Sequence, residues 1–186
     1  MTDLRSWARR PSTWLLPASL TLALYFGCEL AFRLLPWSSS TRGNTGLQWH
    51  RWDGDIYEEI ARLGYHHVWT GPNLSTNTCW FPLYPWLVRV PFTLGAPIRA
   101  ASTGVALLCT FAFLLLAAWL TRDVQSWTRR LATLAIAAFF PGSYYFVAPF
   151  PLALQAAMVL GLVLAIDQER WNLATLLALF IPWSYS

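Results

Sequence analysis

Apolar and polar segments alternate along the chain in a pattern typical of a membrane protein. Segments of about 20 apolar residues are long enough to cross a bilayer as helices. The pattern therefore predicts an all-α integral membrane protein with about four to five membrane-crossing helices. The predicted spans are residues 14–35, 100–120, 131–146 and 148–166, followed by a shorter apolar run at 171–183.

The first two predicted spans are separated by a polar stretch, residues 38–79, and by the short apolar segment WFPLYPWLVRVPFTLGAP. Four prolines in that segment remove backbone donors and prevent a regular spanning helix. We therefore interpret it as a broken, interfacial or re-entrant piece. The predicted organisation is one membrane domain over 1–186, with a cytoplasmic tail at 1–13 and an extracytoplasmic loop at 37–99.

Composition and charge agree with a bilayer environment. The chain is 56% hydrophobic and only 12% charged, whereas soluble domains average about 25% charged residues. Its net charge of +4 comes from arginines, which are spread along the ends of apolar segments and do not form a nucleic-acid-binding face. The positive-inside rule places Arg122, Arg129, Arg130 and Arg170 in the cytoplasm. The acidic loop and the turn at 140–151 then share the extracytoplasmic side of a multi-pass protein, in the plasma membrane of a bacterium or the endoplasmic reticulum of a eukaryote.

The cysteines and the one charged pair inside a span have structural interpretations. Cys28 and Cys109 lie in apolar segments and Cys79 lies alone in the loop, which argues against a disulfide framework or a metal site. The apolar run after the first arginines lacks a small-residue cleavage site, so we interpret it as a retained span. Glu29 and Arg33 are spaced i,i+4 and are predicted to pair near the interface.

The segment WHRWDGDIYEEIARLGY, residues 49–65, places four carboxylates in the outer loop. On a helical wheel an apolar stripe faces a polar one, as in a helix lying on the membrane surface. Asp55 and Glu58 have capping-box spacing, which predicts Asp55 as the N-cap and gives both residues a structural role. The apolar stripe comprises Trp52, Ile56, Ile60 and Leu63, and the polar stripe comprises Asp55, Glu58 and Arg62.

Asp53 is the candidate for chemistry. It lies at the start of the helix or at the edge of its apolar stripe, and a partly desolvated carboxylate is a better base than one in bulk water. The structural alternative, an acidic side chain in a wet loop, remains open at this point. His66 and His67 point different ways and are predicted to be polar interfacial groups, so no metal site or cofactor is expected.

Three segments together resemble the GPI mannosyltransferase 2 (PIG-V) family and its bacterial relatives. RWDGDIYEEIARLGY (51–65) is similar to the first-loop motif of the family, WFPLYPWLVR (80–89) to its FFPLYP segment, and FPGSYYFVAPF (140–150) to its third-loop turn. The resemblance covers the front half of a family member, so the chain is expected to be truncated or a fragment. Where the family continues with a hydroxyl residue, Glu and Ser, this chain has Pro151, Leu152 and Ala153.

The resemblance implies a membrane glycosyltransferase of the GT-C superfamily. Such enzymes transfer a sugar, usually mannose, from a polyprenyl or dolichyl phosphate to a hydroxyl of a glycolipid or glycan on the extracytoplasmic face. It implies Asp53 as the base, Arg51 and Arg89 as phosphate ligands, and aromatic residues lining the substrate cleft. A catalytically inactive or accessory protein of the same fold is the alternative, and a small transporter is disfavoured because no span carries charges suited to transport. The aromatic candidates are Trp52, Tyr57, Tyr84, Tyr144 and Tyr145.

Overall fold

The computed structural model describes residues 11–34, 53–70 and 73–184. These ranges are predominantly helical, as the sequence predicts, and they also contain one short hairpin of two strands. The helices are α1 Pro11–Leu34, α2 Asp53–Leu63, α3 Leu83–Thr93, α4 Ile98–Leu120, α5 Trp127–Phe139, α6 Tyr144–Val147, α7 Leu152–Asp167 and α8 Trp171–Phe180, which continues as a 3-10 turn, Ile181–Trp183. The strands are β1 His67–Thr70 and β2 Asn73–Thr76.

Two helices within the described ranges, α1 and α4, are long and apolar enough to cross a membrane. Helix α7 and the segment Trp171–Trp183 are apolar but shorter. The predicted span at 131–146 is divided into α5 and the single turn α6, because Pro141 and Gly142 interrupt the run. Near the end of α1, Glu29 and Arg33 pair at 3.9 Å, as the i,i+4 spacing predicts.

Helix α4 is the centre of the fold, with different helices packed along its two halves. Its first half contributes Ala101 and Cys109 to the larger hydrophobic cluster, the main core, which also receives residues from α1, α2, α3 and the segment around α6. Its second half packs Ala117 and Ala118 against Leu134 of α5. The main core comprises Leu24, Tyr57, Ala61, Tyr84, Val88, Ala101, Cys109, Phe146, Val147, Ala148, Phe150 and Ala153.

The proline-rich segment forms α3, a helix of 11 residues that rises only about 16 Å and is too short to cross a bilayer. Pro85 lies in the first turn, where backbone N–H groups have no helical partner anyway. Pro91 lies near the other end, and the helix stops two residues after it, at Thr93. The prolines thus limit the length of this helix and do not prevent it.

The hairpin between α2 and α3 was not predicted from the sequence. Gly64 follows α2 with φ +85°, a conformation that favours glycine, and its N–H donates to the Ile60 carbonyl at 2.9 Å. The strands pair antiparallel, with His67 opposite Thr76. Buried Asn77 closes the base of the hairpin by accepting the His66 N–H at 2.8 Å and donating to the Gly64 carbonyl at 3.3 Å.

Two arginines stabilise the C-terminal end of α4. Arg130 donates to the Ala118 carbonyl at 3.3 Å, and Arg122 donates to the Trp119 carbonyl at 3.2 Å. The Arg122 guanidinium also lies 4.3 Å from the centre of the Trp119 ring. Cations at this position complement the negative end of the helix macrodipole. Two of the arginines used in the topology prediction, Arg122 and Arg130, therefore also have a structural role.

Candidate functional site

Helix α2 buries a face that differs from the one the helical wheel predicts. Of the predicted lipid-facing stripe, Ile60 is buried against the rest of the chain and Leu63 is 66% exposed, whereas Glu58, predicted on the wet face, is only 7% exposed. That prediction for Glu58 was wrong because the Ser102 hydroxyl on α4 donates to its carboxylate, and a partner of this kind offsets the cost of burial. A helical wheel records the polarity of a residue and not the partner it meets. The buried residues of α2 are Gly54, Tyr57, Glu58, Ile60 and Ala61.

The predicted N-cap at Asp55 was also wrong. The helix begins at Asp53, so Asp55 lies within the first turn and is exposed. Both carboxylates therefore lie near the N-terminal end of the helix, where the macrodipole favours negative charge. This interaction favours a helix that includes both residues.

Asp53 lies at the outer end of the buried stripe of α2. It is partly exposed, and Tyr57 and Ala61 follow it at i+4 and i+8 in the main core. Residues at these spacings share one helix face, so the Asp53 carboxylate lies where that face passes from packed protein to the surface. Arg51 and Trp52, the two candidates that precede it, lie outside the described residues.

The three motif segments meet in the main core through their aromatic rings. Tyr57 of α2 contacts Tyr84 of α3 edge to face, with centroids 5.6 Å apart, and lies 6.5 Å from Phe150. Phe150 also contacts Tyr145 at 5.3 Å. The third segment is fixed to α4, because the Thr110 hydroxyl donates to the Phe146 carbonyl at 2.5 Å. Segments that are up to about 90 residues apart in sequence therefore form one packed unit.

A buried polar network connects α2, α3 and α4 within this unit. The fully buried Tyr84 donates its hydroxyl to the Ser102 carbonyl at 3.0 Å, while the Ser102 hydroxyl donates to Glu58. Burial raises the pKa of Tyr84 well above its ordinary value, and the nearby Cys109 and Glu58 raise it further. Tyr84 therefore remains a phenol and a hydrogen-bond donor at neutral pH, and it cannot act as a base.

A polar recess of about 370 Å³ lies beside this network, between α2 and the first turn of α4. It brings carboxylates and guanidinium groups to one surface, the combination needed to accept a proton and to bind a phosphate. Sequence reasoning missed Arg99 and Ser102, although a serine within an apolar span is a polar group that must find a partner. The recess is lined by Asp55, Ile56, Glu58, Glu59, Arg62, Ile98 and Arg99.

The remaining candidates lie around the edge of the unit. Tyr144 is partly buried and contacts Phe32 of α1 at 5.4 Å, whereas Tyr145 is 37% exposed. Arg89 is exposed, next to the buried Val88, so it lies on a different face of α3 from Tyr84. His66 hydrogen bonds to Asn77 at 3.0 Å through Nδ1. The structure therefore places Tyr57 and Tyr84 together and leaves Arg89 apart from them.

Removing the Ser102 hydroxyl is expected to destabilise the fold. In Ser102→Ala the buried Glu58 carboxylate loses the Ser102 donor, and the loss of a hydrogen bond to such a group costs about 1–3 kcal/mol. Thr133→Ala is the matched control, because the Thr133 hydroxyl donates a hydrogen bond too, to the Arg129 carbonyl of its own helix, but is exposed. A change of within about 0.5 kcal/mol is expected for this variant. Urea unfolding in detergent micelles measures both, and equal stability of the two variants would contradict a structural role for the Ser102–Glu58 contact.

The described residues contain no group of three or more His, Cys, Asp or Glu side chains arranged to hold a metal ion. The candidate site therefore consists of the partly exposed Asp53 at the edge of the aromatic core and of a recess that combines acidic and basic side chains. Comparison of the chain with protein-family models, with curated proteins and with solved structures finds no match.

Proposed function

We propose that the protein is a multi-pass membrane glycosyltransferase that uses a lipid-phosphate-linked sugar. The observation that carries this proposal is the meeting of the three motif segments in one core, through Tyr57, Tyr84 and Phe150. Each segment alone is a weak resemblance to the GPI mannosyltransferase 2 family. Their assembly into one unit is the arrangement that a shared active site requires.

The position of Asp53 supports its role as the general base. The acceptor hydroxyl oxygen attacks the anomeric carbon of the donor sugar, the bond from that carbon to the phosphate oxygen breaks, and the hydroxyl proton passes to the Asp53 carboxylate. A carboxylate at the border of packed protein and solvent is open to substrate and within reach of the acceptor hydroxyl of a bound substrate. The leaving group is the lipid phosphate, so the proposed donor is not a nucleotide sugar.

The leaving polyprenyl phosphate requires cationic groups that hold its charge. Arg51 and Arg89 are the candidates from the sequence, and the polar recess adds Arg62 and Arg99 close to α2. Guanidinium groups bind phosphate oxygens through paired N–H donors. We therefore propose that Arg62 and Arg99 bind the donor phosphate, and that the carboxylates of the recess, which carry the same sign of charge as the phosphate, take no part in this binding.

The proposed topology places this unit on the extracytoplasmic side. Helices α1 and α4 are long enough to cross the membrane, and the arginines at the C-terminal end of α4 belong on the cytoplasmic side by the positive-inside rule. The main core lies along the opposite half of α4. The sugar of a lipid donor in the outer leaflet would then lie near α2.

A transfer assay in proteoliposomes tests the proposal. The purified chain is given radiolabelled mannose on polyprenyl phosphate, together with a glycolipid acceptor, and GDP-mannose serves as the control donor. We expect label to pass from the lipid donor to the acceptor and none to pass from GDP-mannose. The assay is repeated with glucose and galactose on polyprenyl phosphate. If the protein inserts into the vesicles but transfers none of the three sugars, the proposal is contradicted.

A catalytically inactive or accessory membrane protein of the same fold is the second candidate. The observation that favours it is the segment at 151–153, where Pro151 and Ala153 are buried in place of the polar residues that the resemblance leads one to expect. This alternative predicts insertion and a stable fold with no transfer from any donor. The proteoliposome assay therefore separates the two candidates.

A further inference from the structure

A second recess lies far along α4 from the candidate site, as a groove between α4, α7 and α8. Its volume is about 440 Å³, within the range of about 300–1,000 Å³ common for ligand pockets. Its walls are mostly aliphatic and come from all three helices. They include Leu115 and Leu116 of α4, Leu164 of α7, and Leu173 and Leu177 of α8.

Gly161 provides the depth of the groove. A Cβ at this position would lie 3.4 Å from Leu177 Cδ1 and 3.8 Å from Leu116 Cδ1. The side chains of Leu177 on α8 and Leu116 on α4 thus lie at van der Waals distance from the place that a Cβ of residue 161 would occupy. A larger side chain at residue 161 would occupy the space between the three helices.

The groove is apolar along its length and polar at one end. Its lining extends from Ala157 of α7 to Gln168, the residue after the last turn of that helix, a distance of about 16 Å along a helix axis. Gln168 and Arg170 lie at the end where α7 stops. An apolar channel with a polar end matches an amphiphile, whose chain and headgroup need these two environments.

The turn after α7 fixes the position of Arg170. The Glu169 N–H donates to the Ile166 carbonyl at 3.0 Å, and the Arg170 N–H donates to the Ala165 carbonyl at 2.8 Å. Glu169 has φ +55°, a left-handed conformation that costs a non-glycine residue about 1–2 kcal/mol. The backbone of Arg170 is therefore held in place at the mouth of the groove.

Arg170 carries a positive charge, and the other residues that line the groove are uncharged. Among the described residues its guanidinium has no carboxylate within 4.0 Å, although the exposed Asp167 and Glu169 are close in sequence. The charge of the groove therefore complements an anionic headgroup. Basic pockets between membrane helices on the cytoplasmic side bind such lipids.

We propose that this groove binds an anionic phospholipid of the bilayer, with an acyl chain between α4, α7 and α8 and the phosphate at Arg170. The inference rests on the proposed multi-pass insertion but not on glycosyl transfer. In the proposed topology Arg170 faces the cytoplasmic leaflet, so this lipid is separate from a donor lipid on the extracytoplasmic side.

Lipid retention tests the proposal without any activity assay. The full chain is reconstituted into vesicles of phosphatidylcholine and phosphatidylglycerol in equal amounts and extracted in mild detergent, and the retained lipids are identified by native mass spectrometry. We expect phosphatidylglycerol to be enriched about fivefold over phosphatidylcholine, the effect of one arginine near an anionic headgroup. Arg170→Gln should remove this preference, and Gly161→Leu should remove retention of both lipids.

Arg129→Gln is the matched control, because Arg129 is an exposed arginine at the start of α5, outside the groove. It should keep the wild-type preference. Equal retention of the two lipids by the wild-type protein, or an unchanged preference in Arg170→Gln, would overturn the proposal. Dimers that form in place of lipid retention would show that a second copy of the chain covers the groove, which would overturn it too.

Discussion

Asp53→Asn should lower the transfer rate by a factor of about 10² to 10⁴, the usual contribution of a general base. The amide has nearly the same shape as the carboxylate but cannot accept the acceptor proton. Because Asp53 is partly exposed at the end of α2, the substitution should leave insertion and folding intact. The measurement is kcat for transfer from a polyprenyl-phosphate sugar in proteoliposomes, with the amount of inserted protein determined in parallel.

Asp55→Asn is the matched control for Asp53→Asn. Asp55 lies in the same first turn of α2 and is exposed, so both substitutions remove one negative charge from the same helix end. Most of the activity should remain in Asp55→Asn. Equal rates in Asp53→Asn and the wild-type protein would exclude Asp53 as the base, and equal losses in both variants would point to the helix end and not to proton transfer.

Tyr84→Ala should be the most destabilising single substitution in the candidate site, at about 3–5 kcal/mol. Tyr84 is fully buried, its ring packs against Tyr57 and its hydroxyl donates to the Ser102 carbonyl. Removing it leaves a cavity where α2, α3 and α4 meet. Urea unfolding in detergent micelles should show a lower midpoint, and transfer activity should fall with the loss of folded protein.

Tyr84→Phe separates the ring from the hydroxyl. It keeps the aromatic contact and loses one hydrogen bond, worth about 0.5–1.5 kcal/mol. A loss in Tyr84→Phe as large as that in Tyr84→Ala would show that the polar network, and not packing of the ring, holds the three segments together. Full stability of Tyr84→Ala would contradict the central position of this residue in the core.

The helical elements could be predicted from apolar run length, but their ends and pairings could not. The predicted spans at 14–35 and 100–120 correspond to α1 and α4 within a few residues, because long apolar runs have few other stable conformations in a bilayer. The hairpin depends on Asn77, whose amide bonds backbone groups 11 and 13 residues away. Such contacts leave no periodic pattern in the sequence.

The motifs of the sequence identify residues that meet in the fold, while their role in substrate binding stays a prediction. Tyr57 and Tyr84, chosen from the motifs, do meet in the main core. The role of Glu58 was missed because its burial depends on Ser102, 44 residues further along the chain. Amphipathic patterns assign charged residues to solvent by default, so a buried carboxylate with a distant partner is found only from the fold.

The central claim is that α2, the hairpin loop and the aromatic turn around Pro141 face the same compartment, opposite the arginines that follow α4. Labelling of intact cells with a membrane-impermeant maleimide tests it, in a background carrying Cys28→Ala and Cys109→Ala. The native Cys79, which is exposed, is one reporter. Pro141→Cys and Val124→Cys, each made with Cys79→Ser, are the others.

All three labelling positions are exposed in the structure, so differences in labelling report the side of the membrane and not burial in the protein. We predict that Cys79 and the Pro141→Cys variant react in intact cells, and that the Val124→Cys variant reacts only after the membrane is permeabilised. Labelling of Cys79 and the Pro141→Cys variant from opposite sides would contradict the account.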